Sequence, residues 1–148
     1  MKPTRKLRSL LAISGLIAVT IGASILFAPA QFHATHGIEL AADPSLLSEV
    51  RAPGGALMVL GVLMGVGAFV RTFAFASTSI AAAVYLAYGA SRLVSLALDG
   101  VPAAGLLAAT SIELVIGAAC AVALVRAMRR AQASVPAQAH PSSIAGAL

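Results

Sequence analysis

The chain has 148 residues, 59% of them hydrophobic and only 10% charged, and its mean hydropathy is +0.96, which excludes a water-soluble domain clothed in polar side chains and places the protein in a membrane. Ten Lys+Arg against five Asp+Glu give a formal charge of +5, but the bases flank apolar stretches without interleaved aromatics or a recognition motif, which excludes nucleic acid as the partner. Cys120 is the single cysteine, so neither an intramolecular disulfide nor a cysteine-based metal site is available, and the thiol reads as a small apolar filler in a helix.

A bilayer core roughly 30 Å thick needs about 20 apolar residues of helix, and four such stretches are present. Residues 1–8 are a basic start, with Lys2, Arg5, Lys6 and Arg8 ahead of an uncharged run from Ser9 to Phe32. This opening has two readings. A basic segment, an apolar run and Ala28-Pro29-Ala30 suit a cleavable signal peptide, but the run exceeds the usual h-region of about 7–15 residues. The expectation is therefore a retained first span over about 9–28, with Pro29 as its stop.

Pro29 to Val50 is expected to be the one substantial loop, containing "HATHGIEL" and "ADPSLLSEVRAPGG". Asp43 before Pro44 reads as an N-cap with proline at the first helical position, opening a short surface helix that leads to the second span. That span, about 52–70, carries Gly54, Gly55, Gly61, Gly65 and Gly67. Small residues at i and i+4 let helix backbones approach closely in lipid, so this should be the most buried helix. Arg71 and Thr72 leave space for a tight turn before the third span, about 73–98. Asp99-Gly100-Val101-Pro102 is a strong turn signal, and the fourth span follows over about 101–125. Arg126, Arg129 and Arg130 close it, and the Ala/Ser/Pro-rich residues 131–148 read as a disordered cytoplasmic tail.

The predicted fold is thus an all-α integral membrane protein, a bundle of four transmembrane helices within residues 9–130. With both termini inside, four bases of the amino end, Arg71 and three near the tail face the cytoplasm, against Arg51 and Arg92 outside, which favours an N-in, C-in threading. Glu39, Asp43, Glu49 and Asp99 all fall outside.

Charges within the spans are the residues worth testing. Tyr85, Tyr88, Arg92, Ser95 and Asp99 recur at spacings of three and four, one stripe of a helix. Thr110, Glu113, Gly117 and Cys120 share a face of the fourth span. Because the Asp99–Pro102 turn makes the two helices antiparallel, Glu113 lies about one turn, roughly 6 Å, deeper than Arg92, within reach of its side chain. A lone charge at the helix centre costs on the order of 2.5–3.5 kcal/mol, so Arg92 should find a partner, either Glu113 or Asp99. Two readings stay open: an ion pair that fixes helix register, or an outward-facing polar cluster of Glu49, Arg51, Tyr88, Arg92, Asp99 and Glu113 that binds a ligand or passes a proton. Pro53 withholds a helical donor from the carbonyl of Glu49, so Glu49 and Arg51 read equally as an interfacial cap and as part of that cluster. Gly54, Gly55, Gly61 and Gly65 are assigned to helix packing and not to a phosphate loop.

His33, His36 and Glu39 would converge on a metal only if their segment were helical. Gly37 interrupts it, and they read as exposed loop residues, so no metal and no cofactor is expected. No nucleophile–base arrangement or paired catalytic carboxylates stand out.

Four segments, "GASILFAPAQF", "EVRAPGG", "SRLVSLALDGVP" and "IELVIGA", occur in an order that resembles the small bacterial membrane family called domain of unknown function 4345, over roughly Leu10 to Arg130. The resemblance implies a four-helix protein of the bacterial cytoplasmic membrane with an uncleaved first helix. It also implies that Glu49, Arg51, Gly55, Arg92, Asp99, Gly100 and Glu113 are the family's characteristic positions, and it implies no activity. A more distant likeness to DoxX-type four-helix membrane proteins is one of architecture only. The leading functional expectation is a non-enzymatic bundle that binds a small molecule, a lipid or a protein partner. A quinone or redox accessory subunit with a proton-handling carboxylate and tyrosine cluster is the second reading. A small transporter acting as a homo-oligomer is the third.

Overall fold

The computed structural model describes residues 3–133, which are helical apart from short connections. In chain order they form α1 (Arg5–Phe27), α2 (Pro29–Ala34), α3 (Pro44–Phe69), α4 (Ala74–Leu98) and α5 (Ala104–Ala133), with a 3-10 turn at Arg71–Phe73 between α3 and α4. Four helical segments, α1, α3, Arg71–Leu98 and α5, are long and apolar enough to cross a membrane.

Local chemistry sets most of the ends. The Thr4 side chain accepts the Leu7 N–H at 3.2 Å, so α1 starts at Arg5, ahead of the expected boundary at residue 9, and its first turns carry Arg5, Lys6 and Arg8. Lys2 lies outside the described residues. Pro29 ends α1 as expected, and it also takes the first position of α2 after Ala28 turns the chain at φ −136°. Gly37, at φ +76°, closes the turn that follows α2, a backbone region that glycine adopts at little cost. Asp43 Oδ1 accepts the Leu46 N–H at 2.8 Å with Pro44 at the first position of α3.

Further boundaries differ from expectation. The stretch 29–50 is not one loop, because α2 and the start of α3 occupy much of it and only residues 35–43 are irregular. Nor is there a separate surface helix ahead of the second span: α3 runs for 26 residues straight through Pro53. Proline removes one backbone bond from a helix, and here packing on both sides of it carries the helix on. Arg51 Nη1 donates to the Leu26 carbonyl just before Pro53, and Gly54 sits against Ile25 just after it. At the other terminus α5 continues to Ala133, past the expected end at 125, since Arg126, Arg129 and Arg130 are good helix formers whose charge suits a helix C-terminus. The expected disorder of the tail beyond residue 133 lies outside the described residues.

Packing is closest between α1 and α3. A Cβ on Gly15 would stand 2.7 Å from the Gly61 carbonyl oxygen, and one on Gly61 would stand 2.7 Å from the Val19 nitrogen, so the two backbones touch directly. As expected, α3 buries the largest share of its most apolar stretch, 33% against 28% for α1. Gly54 is equally tight, whereas Gly55 meets only the Leu26 methyls at 3.8 Å or more and a Cβ on Gly65 would meet nothing within 4 Å. Gly65 serves instead as the floor onto which Gly15 packs, its nitrogen 2.8 Å from a Cβ built there.

The α4–α5 hairpin turns at Gly100, φ +94°, and joins the α1–α3 pair mainly through α3. Ser77 Oγ donates to the Leu63 carbonyl at 2.6 Å, and Tyr85 reaches across to donate to the Ser14 carbonyl at 2.7 Å. Leu11, Ser14, Met64, Thr78 and Cys120 are the largest fully buried side chains. Along the outside Leu16, Val59, Phe69, Val94 and Val115 are exposed, an apolar surface that suits lipid and not water. One side of the four-helix square is left wide: α5 meets α1 at few points and does not pack against α3.

Candidate functional site

Arg92 and Glu113 meet beside that wide side. Gly89 on α4 and Gly117 on α5 let the hairpin close, since a Cβ at either would come within 2.7 Å of Leu114 or Leu86 on the facing helix. This approach brings Arg92 Nε to 3.2 Å from Glu113 Oε1 and 3.0 Å from Oε2. The pair is partly sheltered, with the Arg92 side chain 34% exposed and that of Glu113 14%. Asp99, the other candidate partner, is exposed and accepts from Ser95 Oγ at 2.8 Å instead. Only Nε of Arg92 is engaged by protein among the described residues, leaving Nη1 and Nη2 as unused donors.

The pair faces a cavity of about 380 Å³ between α1 and the α4–α5 hairpin. Ile17, Ile21 and Ile25 of α1 form one wall, and Leu106, Ala109 and Ile112 of α5 face them. Leu57 of α3 and Val84 and Tyr85 of α4 form the back. Tyr88, Arg92 and Glu113 supply the polar part, and Phe32 and His36 line the end from α2 and the turn after it. The volume falls in the range of small-molecule sites, and a mainly apolar wall with few polar groups is their usual composition.

His36 is held over the cavity by its own turn. Its Nδ1 lies 3.2 Å from the Phe32 carbonyl and 3.0 Å from Thr35 Oγ1. Because a carbonyl can only accept, Nδ1 carries the proton in that contact, and the rings of Phe32 and His36 meet at a tilt of 53° with centroids 5.3 Å apart. His33 Nδ1 likewise donates to the Pro29 carbonyl at 2.8 Å. Each histidine thus has its Nδ1 engaged by a carbonyl of α2, and among the described residues no three His, Cys, Asp or Glu side chains are grouped to hold a metal.

Of the six residues grouped by sequence, the structure brings Tyr88, Arg92 and Glu113 together and leaves Glu49, Arg51 and Asp99 elsewhere. Arg51 lines a separate open cleft with Leu26, Pro44, Leu47 and Ser48. Its bond to the Leu26 carbonyl satisfies one of the acceptors orphaned at the end of α1. Glu49 is exposed beside it. Sequence reasoning placed all six at one end of the bundle but had no measure of which way each helix is rotated. It missed Phe32, His36 and the aliphatic walls. The available signal was Pro29 opening a helical turn, which sets Phe32 and His36 one turn apart on the same side.

Residues 6–124 match a family model described as Domain of unknown function (DUF4345). No curated protein and no solved structure matches the chain.

Proposed function

The chain belongs to the DUF4345 family, and from that premise we propose that it is a four-span membrane protein with both termini in the cytoplasm, whose cavity beside α1 and α5 holds a small ligand. The membrane reading is supported by four sufficiently long apolar helices and by large apolar side chains exposed all around them. The threading rests on charge. Arg5, Lys6, Arg8, Arg71, Arg126, Arg129 and Arg130 sit at the end where α1 begins and α5 ends, while Arg51 and four of the five acids sit toward the other. Basic residues favour the cytoplasmic side.

The observation that carries the binding reading is the cavity itself. A guanidinium with two unused donors faces an otherwise apolar space, whereas a purely architectural pair would be expected to lie in a closed helix contact. Binding is favoured over turnover because the polar groups gathered there, two tyrosines, an arginine, a carboxylate and His36, can orient a ligand but include no serine, cysteine, threonine or lysine to serve as a nucleophile. Tyr85, Tyr88 and Glu113 in one cavity also support the second reading, a quinone-linked subunit, and an ultraviolet spectrum of the purified protein separates the two by the presence or absence of a copurified quinone.

The test is native mass spectrometry of protein released from lipid nanodiscs. The wild type should carry an additional small mass, and Ala109→Trp, which fills the cavity from α5, should lose it while keeping its helical content and melting temperature. A wild type that emerges bare would count against the reading.

A further inference from the structure

We infer, building on the reading that the cavity is occupied, that its ligand is an uncharged amphiphile with a carbonyl-bearing head and an apolar tail, taken up sideways from the bilayer through the gap between α1 and α5.

The argument for the head begins with charge. Arg92 and Glu113 are in contact at 3.0 Å, so the charges of these two groups already cancel. An anionic head drawn to the Arg92 Nη groups would stand beside the Glu113 carboxylate in surroundings of low dielectric, or would displace it and leave it unpaired, and either outcome is costly. A cationic head would meet the guanidinium. A neutral oxygen acceptor can take the free Nη hydrogens without disturbing the pair, and the Tyr88 hydroxyl on the same wall, which has no protein partner among the described residues, offers a second hydrogen bond. The flat guanidinium with its fork of donors suits a carbonyl in a way that a point charge does not.

The tail and the route follow from the walls. The isoleucines of α1 and the Leu106, Ala109 and Ile112 side of α5 offer only hydrocarbon, matching an acyl or prenyl chain and not a water-borne metabolite. At the polar end Phe32 and His36 lie across the cavity, and His36 stands over the start of α5, 3.6 Å from a Cβ built on Gly105. The side between α1 and α5 is where the helices fail to close. The apolar residues that line it there stay partly open, Ile17 and Ile21 on α1 half-buried and Ile112 on α5 exposed. A bilayer-dissolved molecule meets that gap without leaving hydrocarbon.

Photolabelling in phosphatidylcholine vesicles tests this with three probes of equal chain length, each carrying a diazirine in the tail. Two are neutral, a monoacylglycerol and an alkyl benzoquinone, and one is anionic, the lysophosphatidic acid that matches the monoacylglycerol. At least one neutral probe should label residues 17–25 of α1 and 106–113 of α5, and the lysophosphatidic acid should label them far less. Which neutral probe labels distinguishes an ester head from a quinone head. Arg92→Lys keeps a positive charge for Glu113 and should fold, yet it loses the donor fork and should cut labelling roughly tenfold, the loss expected for a hydrogen bond from a charged donor. Equal or preferred labelling by the anionic probe, or undiminished labelling of Arg92→Lys, would overturn the inference. If no probe labels the walls while the native mass spectrum still shows an added mass that Ala109→Trp lacks, the ligand class is wrong and the cavity reading stands. If that mass is also missing, both fall.

Discussion

At the scale of single residues, Arg92 is held by Glu113 through a forked contact of Nε with both carboxylate oxygens, and the energetics of that pair can be read by a double-mutant cycle. Breaking a fully buried ion pair from one side costs about 3–5 kcal/mol, whereas exposed pairs are worth up to about 1 kcal/mol. With Arg92 at 34% exposure and Glu113 at 14%, the expected loss lies between those limits, about 1–3 kcal/mol. Arg92→Ala and Glu113→Ala should each lower the melting temperature in detergent, and the double mutant should lose less than their sum. Strictly additive losses would show that the two side chains are not coupled. Asp99→Ala, which removes only the exposed contact with Ser95, should leave the melting temperature nearly unchanged.

At the scale of helices, the α1–α3 contact depends on glycines that are not interchangeable. Gly61→Ala would place a methyl 2.7 Å from the Val19 nitrogen and 2.8 Å from the Gly15 carbonyl, and backbone atoms cannot step aside as a side-chain end can. It should destabilise the protein by about 1–3 kcal/mol, the usual cost of overpacking. Gly65→Ala, only one turn along, points its methyl into open space and should be neutral or stabilising by up to about 1 kcal/mol through helix propensity. Thermal melts of the two variants side by side decide the matter, and equal losses would contradict the packing described. The same contact bears on the amino end. Leu11, Ser14, Gly15, Ala18 and Gly22 of α1 are buried, and Ser14 accepts the Tyr85 hydroxyl. Cleavage near Ala30 would strip that face from α3 and α4. The intact mass of the mature protein is therefore expected to include α1, and a mass that begins after residue 30 would refute this.

For the whole molecule, the prediction concerns threading across the membrane. Cys120 is fully buried, and a Cys120→Ser background removes it altogether. Ala41, in the connection before α3, and Ala133, at the end of α5, are both exposed and lie at opposite ends of the bundle. A cysteine at position 41 should react with an impermeant maleimide in intact cells, and one at position 133 should react only after lysis. The reverse pattern would invert the charge-based orientation. What was legible without a structure is the part of this molecule that depends on local or periodic chemistry. Run length and hydropathy define four helices, Pro29, Asp43 and Gly100 mark where the chain turns, and a three-and-four spacing puts Tyr85, Tyr88, Arg92 and Asp99 on one stripe. Periodicity describes a helix in isolation, and it carries no record of how that helix is rotated or how far it slides against its neighbours. Those two quantities are set by close approach at Gly15 and Gly61, where backbone meets backbone, and at Gly89 and Gly117, where leucine side chains of the facing helix seat against the glycine. Tertiary packing alone therefore decided that Arg92 turns to Glu113 and not to Asp99, that Arg51 and Glu49 line no part of the cavity, and that α5 stands off from α1 to leave that cavity under His36.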